Sequence, residues 1–390
     1  MSLFKFVQPR LNYSFSVKEK IIAFCSLFLK PELKSSFVSS ILDSENIYFF
    51  DNARSGLQLA LSLLCPNSKV GVQPFTCPTV LEAIEKAQCI VSFVDINDSL
   101  VIDKQSLGNN IEHLDALILT HTFGYPADVD EIRSVVSGKL LIEDCAHAFM
   151  SENVNGLVGK AGDIAIFSHG FAKFPSAIQG GYLLLNNLQY ADAFQHRLKA
   201  IGAPAFKDSA LNLLKAVLLS MMNNVFIYNV LTLKIKEARR LKFNYRKPVD
   251  STKPIKFGFT CNRAVFENKL LTIDEKFQTQ QNNGGLIMEA LLNNSAFKIC
   301  QLKQGQNFFM IPVLVKNPDH FIIFAALRGV EIGRHFVQSL QIIPHFGYQQ
   351  GSCANYEKLI ENMVTIPTHY NYPRKKLNCL LSIIKDYSNE

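Results

Sequence analysis

Tryptophan is missing from this sequence, as are internal repeats and low-complexity tracts. Its nine cysteines never form a CxxC pair or a Cys/His ligand spacing. That argues against a zinc site and against a disulfide framework, and leaves the cysteines as reduced, mostly buried, small apolar residues. Residues 1–16 hold neither a sustained apolar run nor a small-residue cleavage site. The chain is therefore expected to be unprocessed and cytoplasmic. Charge of one sign is also scarce, the net value being +7 over 390 residues. With no nucleic-acid reader motif beside it, so mild an excess argues against nucleic acid and suits an anionic small ligand. The remaining composition, 48% hydrophobic and 19% charged, is ordinary for a globular chain long enough for two domains.

What is present centres on residues 139–187. Leu140, Leu141 and Ile142 run into Glu143 and Asp144; Ile164, Ala165, Ile166 and Phe167 run into Ser168; Gly180 and Gly181 open a third apolar run, Tyr182 to Leu185. Short apolar runs bounded by turn residues read as buried strands. Upstream, further runs at 70–72, 89–95 and 116–120 alternate with helical patterns, such as the leucine-rich stretch from Leu57 to Leu64. Strand–helix units in succession imply an α/β fold, a mostly parallel sheet with helices on both faces. Ligands of such sheets sit beyond the carboxyl ends of the strands. Asp144 and Ser168 would both lie there, with Lys173 five residues past Ser168.

A carboxylate, a hydroxyl and a lysine at one crevice suit pyridoxal phosphate. The cofactor needs an amine to condense with its aldehyde. It needs an anion beside the ring nitrogen to keep the ring protonated. Its phosphate needs donors, often a hydroxyl and the N–H groups at a helix start. Lys173, Asp144 and Ser168 can fill these roles in that order.

The motifs that carry this trio, EDCAHA, GDIAIFSHGFAK and the glycine pair seven and eight residues after Lys173, resemble the signature of the DegT/StrS-type nucleotide-sugar aminotransferases. These are fold type I pyridoxal phosphate enzymes, with a seven-stranded-type sheet and a smaller α+β C-terminal domain. The resemblance is strong over 52–187 and weaker beyond. It implies a homodimer with a shared active site that passes an amine from a donor, glutamate, to a nucleotide-linked keto-sugar in surface polysaccharide or amino-sugar synthesis. It places His147 at the ring oxygen, Arg54 and Ser55 in the phosphate-binding turn, and Cys77 where an aromatic commonly stacks on the ring. A capped helix with a surface arginine is the plainer reading of Arg54. His121, within an H-x-x-G-x-P-x-D pattern ending at Asp128, would face the site, although a lone histidine at a strand end otherwise reads as packing. Asp128 reads as a helix cap. His169, Arg334 and His335 would lie near the substrate entrance, and Asn244 is a candidate phosphate contact from the neighbouring subunit. Cys77, His169 and Gln179 depart from the common residues. Relatives that dehydrate sugars carry histidine at the lysine position, so Lys173 implies an aminotransferase. The alternatives are a dehydratase, a membrane-associated transaminase of a lipid-linked sugar, and a non-catalytic cofactor-binding regulator.

Two domains are expected, 1–255 and 256–390, the first carrying a divergent insertion at 203–255. Within it an apolar run at 211–233 is interrupted by Lys215, Asn223, Asn224 and Asn229, and a basic cluster occupies 234–240. The interruptions speak against a membrane span. An oligomer contact or hydrophobic lid is the preferred reading, and a peripheral membrane contact through 211–240 the alternative. An early helix over 21–29 reads as packing or as a dimer arm, and one long helix is expected over 264–292.

Overall fold

The computed structural model describes residues 6–11, 14–30, 32, 34–231, 254–300, 304–336 and 339–388. The chain opens with helices α1 (Val17–Ser26) and α2 (Ser36–Leu42). Strands and helices then alternate: β1 (Ile47–Phe50), α3 (Ala53–Leu61), β2 (Lys69–Val72), α4 (Pro78–Lys86), β3 (Ile90–Phe93), α5 (Lys104–Asn110), β4 (Ala116–Thr120), α6 (Val129–Val135) and β5 (Leu140–Asp144). A small hairpin, β6 (Glu152–Asn153) and β7 (Gly156–Leu157), precedes β8 (Ile164–Ser168) and β9 (Gly181–Leu185).

These strands build one sheet in the order β1-β9-β8-β5-β4-β2-β3. The five from β8 to β3 are parallel, and β9 runs against both β8 and β1. The central strands β4 and β5 are buried at every position. Covered on both faces, such strands are apolar along most of their length, which is why they read as continuous runs rather than alternating ones, with polar residues only at the ligand-facing end. Local chemistry sets the helix starts. Asn52 accepts a hydrogen bond from the Ser55 N–H at 3.0 Å to cap α3, and Asp128 accepts from the Glu131 N–H at 3.0 Å to cap α6. Pro78 opens α4, where its missing N–H costs nothing.

After β9 come α7 (Ala191–Leu198) and α8 (Phe206–Ser220). The apolar run of 211–233 is not one helix. A break bends the chain by 103° into α9, described over Val225–Leu231. The side chain of Asn224 accepts from the N–H groups of Phe226 at 2.9 Å and Ile227 at 3.2 Å, so an asparagine that interrupts the run is a cap at the bend. The basic cluster at 234–240 and Asn244 lie outside the described residues.

The second half holds α10 (Thr260–Leu270), α11 (Ile273–Leu292), β10 (Phe297–Ile299), β11 (Met310–Val315), α12 (Pro318–Leu327), α13 (Ser339–Ile342), α14 (Ala354–Asn362), β12 (Met363–Pro367) and α15 (Arg374–Asp386). The single helix expected over 264–292 is two. Thr272 takes a non-helical conformation (φ −129°, ψ 31°) between α10 and α11. The break serves two cores. Val265, Phe266 and Leu270 of α10 pack with the large sheet, whereas Ile287, Met288 and Leu291 of α11 pack with the antiparallel sheet β10-β11-β12. Lys269, buried in α10, ties this junction to the N-terminal helix through Glu19 at 3.2 Å.

Candidate active site

Three parallel strands end side by side in Thr120 (β4), Asp144 (β5) and Ser168 (β8). With Ala53 and Arg54 at the start of α3, Thr76 and Cys77 before α4, and His147, Lys173 and Phe336, they line a cavity of about 120 Å³. The glycine pair explains how a helix start reaches the sheet here. A Cβ on Gly181 would lie 2.5 Å from the Phe167 carbonyl oxygen and 2.6 Å from the Ala53 nitrogen, so only glycine lets α3 approach so closely. Gly180, at φ +128°, turns the chain into β9 beneath it.

Asp144 is buried and accepts one hydrogen bond, from the Ala146 N–H at 3.0 Å. Burial pushes its carboxyl above the usual range, opposed by that bond and by the charges of Lys173 and His121. Lys173 follows a left-handed residue, Ala172, and its ammonium lies 5.6 Å from the Phe309 ring centroid. Burial lowers its pKa, with Cys77 and Asp144 pulling the other way, so more of the amine is neutral and nucleophilic than on a surface lysine. His147 stacks on Phe309 at 4.5 Å, and its Nδ1 accepts from the Phe123 N–H at 3.4 Å. Burial, the charge of Lys173 and His335 hold His147 well below the ordinary imidazole range. The ring is neutral, Nδ1 is the acceptor, and Nε2 carries the proton as a donor.

These groups fit pyridoxal phosphate. Among the described residues Asp144 has no ion-pair partner, and a buried carboxylate in that position is stabilised by a protonated ring nitrogen. Thr120 Oγ1 lines the same cavity, buried and without a hydrogen-bond partner among the described residues. The first-turn N–H groups of α3 have no partners within the helix and suit a phosphate, with the Ser168 hydroxyl as a further donor. Lys173 supplies the amine.

Other sequence candidates lie elsewhere. Arg54 lines the cavity but is held by Glu82 at 2.9 Å, so its guanidinium has a carboxylate competitor for any phosphate. Ser55 sits one residue behind the lining, its N–H taken by the Asn52 cap. Cys77 lines the cavity, with Sγ 3.1 Å from Thr79 Oγ1. The aromatic ring at the cavity comes instead from Phe336, in left-handed backbone (φ 57°), whose plane lies 15° from that of His147 at 5.9 Å. Phe75 stays outside the lining, packed edge-on to Phe336 at 5.4 Å.

His121 is set back from the cavity. Its Nε2 lies 2.9 Å from Glu143 Oε2, and its Nδ1 accepts from the Ala127 N–H at 2.9 Å. Glu143 also accepts from the N–H groups of Gly159 and Ala161, and Cys145 completes a cluster within 4.8 Å. With both ring nitrogens and the carboxylate engaged by protein groups, this is a packing knot, and a substrate role for His121 does not fit its geometry. Nor does one for His169. Ser168 ends β8 facing the cavity, so the next side chain faces the opposite side. His169 stacks there on Phe266 at 4.5 Å, and burial pushes its pKa down to about 3. Arg334 donates through Nη2 to the carbonyls of Ile360 and Glu361, both at 2.7 Å, at the end of α14. Its neighbour His335 does approach the site, edge-on to His147 at 5.7 Å. Thr120 and Phe336 were missed by sequence reasoning. Thr120 ends a strand as Asp144 and Ser168 do, so the same rule would have found it; Phe336 carries no local signal.

Residues 40–214 match the sequence model of the DegT/DnrJ/EryC1/StrS aminotransferase family. GDP-perosamine synthase of Escherichia coli O157:H7 is 29% identical over 154 residues, covering 37% of this chain and 42% of that protein. The matches span about two-fifths of the length of the curated relatives: 42%, 42% and 40%. The whole fold has counterparts. The aminotransferase TlmJ from Streptoalloteichus hindustanus superposes with a TM-score of 0.75 at 16% identity over 98% of both chains. The GDP-4-keto-6-deoxy-D-mannose-3-dehydratase of E. coli does so with 0.72 at 15% identity, over 99% of this chain and 100% of that one. The fold is thus that of pyridoxal phosphate-dependent sugar aminotransferases, and the segment that matches the DegT/DnrJ/EryC1/StrS aminotransferase model, residues 40–214, carries Arg54, Asp144, Ser168 and Lys173.

Proposed function

We propose that the chain is a pyridoxal phosphate-dependent aminotransferase that moves an amine from glutamate to a nucleotide-linked keto-sugar. The observation that carries this reading is the pairing of buried Asp144 with Lys173 in one cavity at the carboxyl edge of the sheet. When bound, pyridoxal phosphate supplies an electron sink for the pair left at a substrate carbon once its proton is removed. Asp144 would keep the ring nitrogen protonated and so sustain that sink. Lys173, its pKa lowered by burial, would hold the cofactor through its amine and, once displaced, would carry the proton taken from the substrate carbon. His147 would donate from Nε2 toward the ring oxygen. Ser168 and the start of α3 would hold the phosphate, and Phe336 would cover the cavity in place of the aromatic that Cys77 does not provide.

The sugar reading is supported by the relatives, one named for a GDP-sugar and two for a UDP-sugar. The net charge of +7 suits a diphosphate-linked substrate. We take the cofactor domain to run to residue 255 and the smaller domain from 256, in a cytoplasmic homodimer serving amino-sugar or surface polysaccharide synthesis. A dehydratase is the second reading, favoured by the fold of the E. coli enzyme; Lys173 argues for amine transfer. The reconstituted protein should show long-wavelength cofactor absorbance that glutamate bleaches and that Lys173→Ala removes. A band indifferent to every amino donor would favour the regulator, and release of water from the sugar without amine transfer would favour the dehydratase.

A further inference from the structure

Helices α1 and α8 share an exposed apolar face, and α9 adds exposed apolar residues beyond the bend. Phe24 of α1 meets Phe28 at 5.8 Å, and Phe28 reaches Phe206 at the start of α8 at 5.9 Å. Leu214 and Leu218 continue the face along α8, and Phe226 of α9 meets Phe6 at 5.7 Å. All of these rings and leucines are exposed. Tyr228 and Asn229 of α9 are buried, and Asn229 exchanges hydrogen bonds with the Val7 backbone at 2.9 and 3.0 Å, which ties α9 to the N-terminal segment.

We propose that this face docks on the surface of an anionic lipid bilayer. Three observations favour lipid over a second copy of the chain. Lys215 is exposed within the Leu214–Leu218 stripe, and Lys30 and Lys207 are exposed beside Phe28 and Phe206. Cores of protein interfaces are depleted in lysine. At a bilayer the lysine stem lies along the acyl boundary while its ammonium reaches the phosphates. Next, the sequence that leaves α9, residues 232–248, carries Lys234, Lys236, Arg239, Arg240, Lys242, Arg246 and Lys247 against Glu237 alone. Basic charge that follows an apolar segment in the sequence complements an anionic headgroup layer. Finally, α8 and α9 together have the length and apolar composition of a membrane span yet are bent by 103°, and no single described helix is long and apolar enough to cross. A pair bent so sharply suits a place in the interface.

This inference does not depend on the reaction proposed above, because binding is read without turnover. The full-length, cofactor-loaded protein is sedimented with vesicles of phosphatidylcholine alone and of phosphatidylcholine mixed with phosphatidylglycerol. Binding should be at least ~10-fold tighter to the mixed vesicles and should weaken as salt is raised. Leu214→Glu/Leu218→Glu should abolish it while leaving the cofactor absorbance intact. Lys215→Glu, a surface change that the fold tolerates, should weaken it without touching the apolar face. Absence of binding at low salt, or binding unchanged in both variants, overturns the proposal. So does light scattering that shows an oligomer dissociated by Leu214→Glu/Leu218→Glu, which would give the face to a second copy.

Discussion

Single atoms decide what the cavity admits. Gly181 touches backbone on two sides, so Gly181→Ala must move either β8 or the start of α3. We expect a loss of about 1–3 kcal/mol in chemical denaturation and a weaker hold on cofactor, because the α3 start retreats from the phosphate. Phe336 gives the second test at this scale. An aromatic ring contact adds about 0.5–1.5 kcal/mol beyond area burial, so Phe336→Ala should weaken cofactor binding by roughly 2- to 10-fold. Cys77→Phe should restore part of that loss in the Phe336→Ala background. Affinity unaltered by Phe336→Ala would mean that the ring merely fills space. Which residues were legible in the sequence follows from the same scale. Asp144 and Ser168 were readable because a parallel strand delivers its last residue to the ligand edge, and Lys173 because its motif follows Ser168 in the loop beyond that edge. His121 and His169 were misread, since a motif fixes position along the chain and not which way a side chain points. Phe336 was invisible: it reaches the cavity from far along the chain, through a left-handed backbone that no local pattern announces.

Elements carry those residues to their places, and their ends matter more than their middles. Helix α3 begins at the cavity because Asn52 caps it. Asn52→Ala should cost about 1 kcal/mol of stability, and Asn52→Asp should cost little, since aspartate also caps. Loss of cofactor affinity in the alanine variant, recovered in the aspartate variant, would tie the cap to the site and not only to the fold. Strands were legible from short buried runs, but their order in the sheet was not. Nor were breaks. The bend at Asn224 and the kink at Thr272 look like ordinary polar interruptions, and only tertiary packing shows one to be a cap and the other a hinge between two cores. Local propensity is a weak prior beside such packing.

Across the whole molecule, burial has been applied to histidine as well as to apolar residues. His147, His169, His335 and His369 all have pKa values lowered by burial, to about 3 for His169 and about 4 for His369. In the unfolded chain each titrates near 6.5. Between the two values the unfolded state binds more protons, so stability is complete above the unfolded pKa and falls as pH drops through that window toward the folded one. Glu143, its pKa lowered by His121 and backbone N–H groups against the opposing effect of burial, adds a loss of the same sign at lower pH. Asp144 has a raised pKa and works in the opposite direction, its penalty being relieved as pH falls. The histidines outnumber it, so acidification should destabilise the protein. From pH 7 to 5 one fully buried histidine accounts for about 2 kcal/mol of that loss. His169→Phe fills the same aromatic stack on Phe266 without a titrating ring. The variant should lose about 2 kcal/mol less than the parent over that range in urea denaturation. Equal losses in the two proteins would show that His169 is protonated or solvated in the folded state, and would remove the stack behind β8 from any account of acid sensitivity.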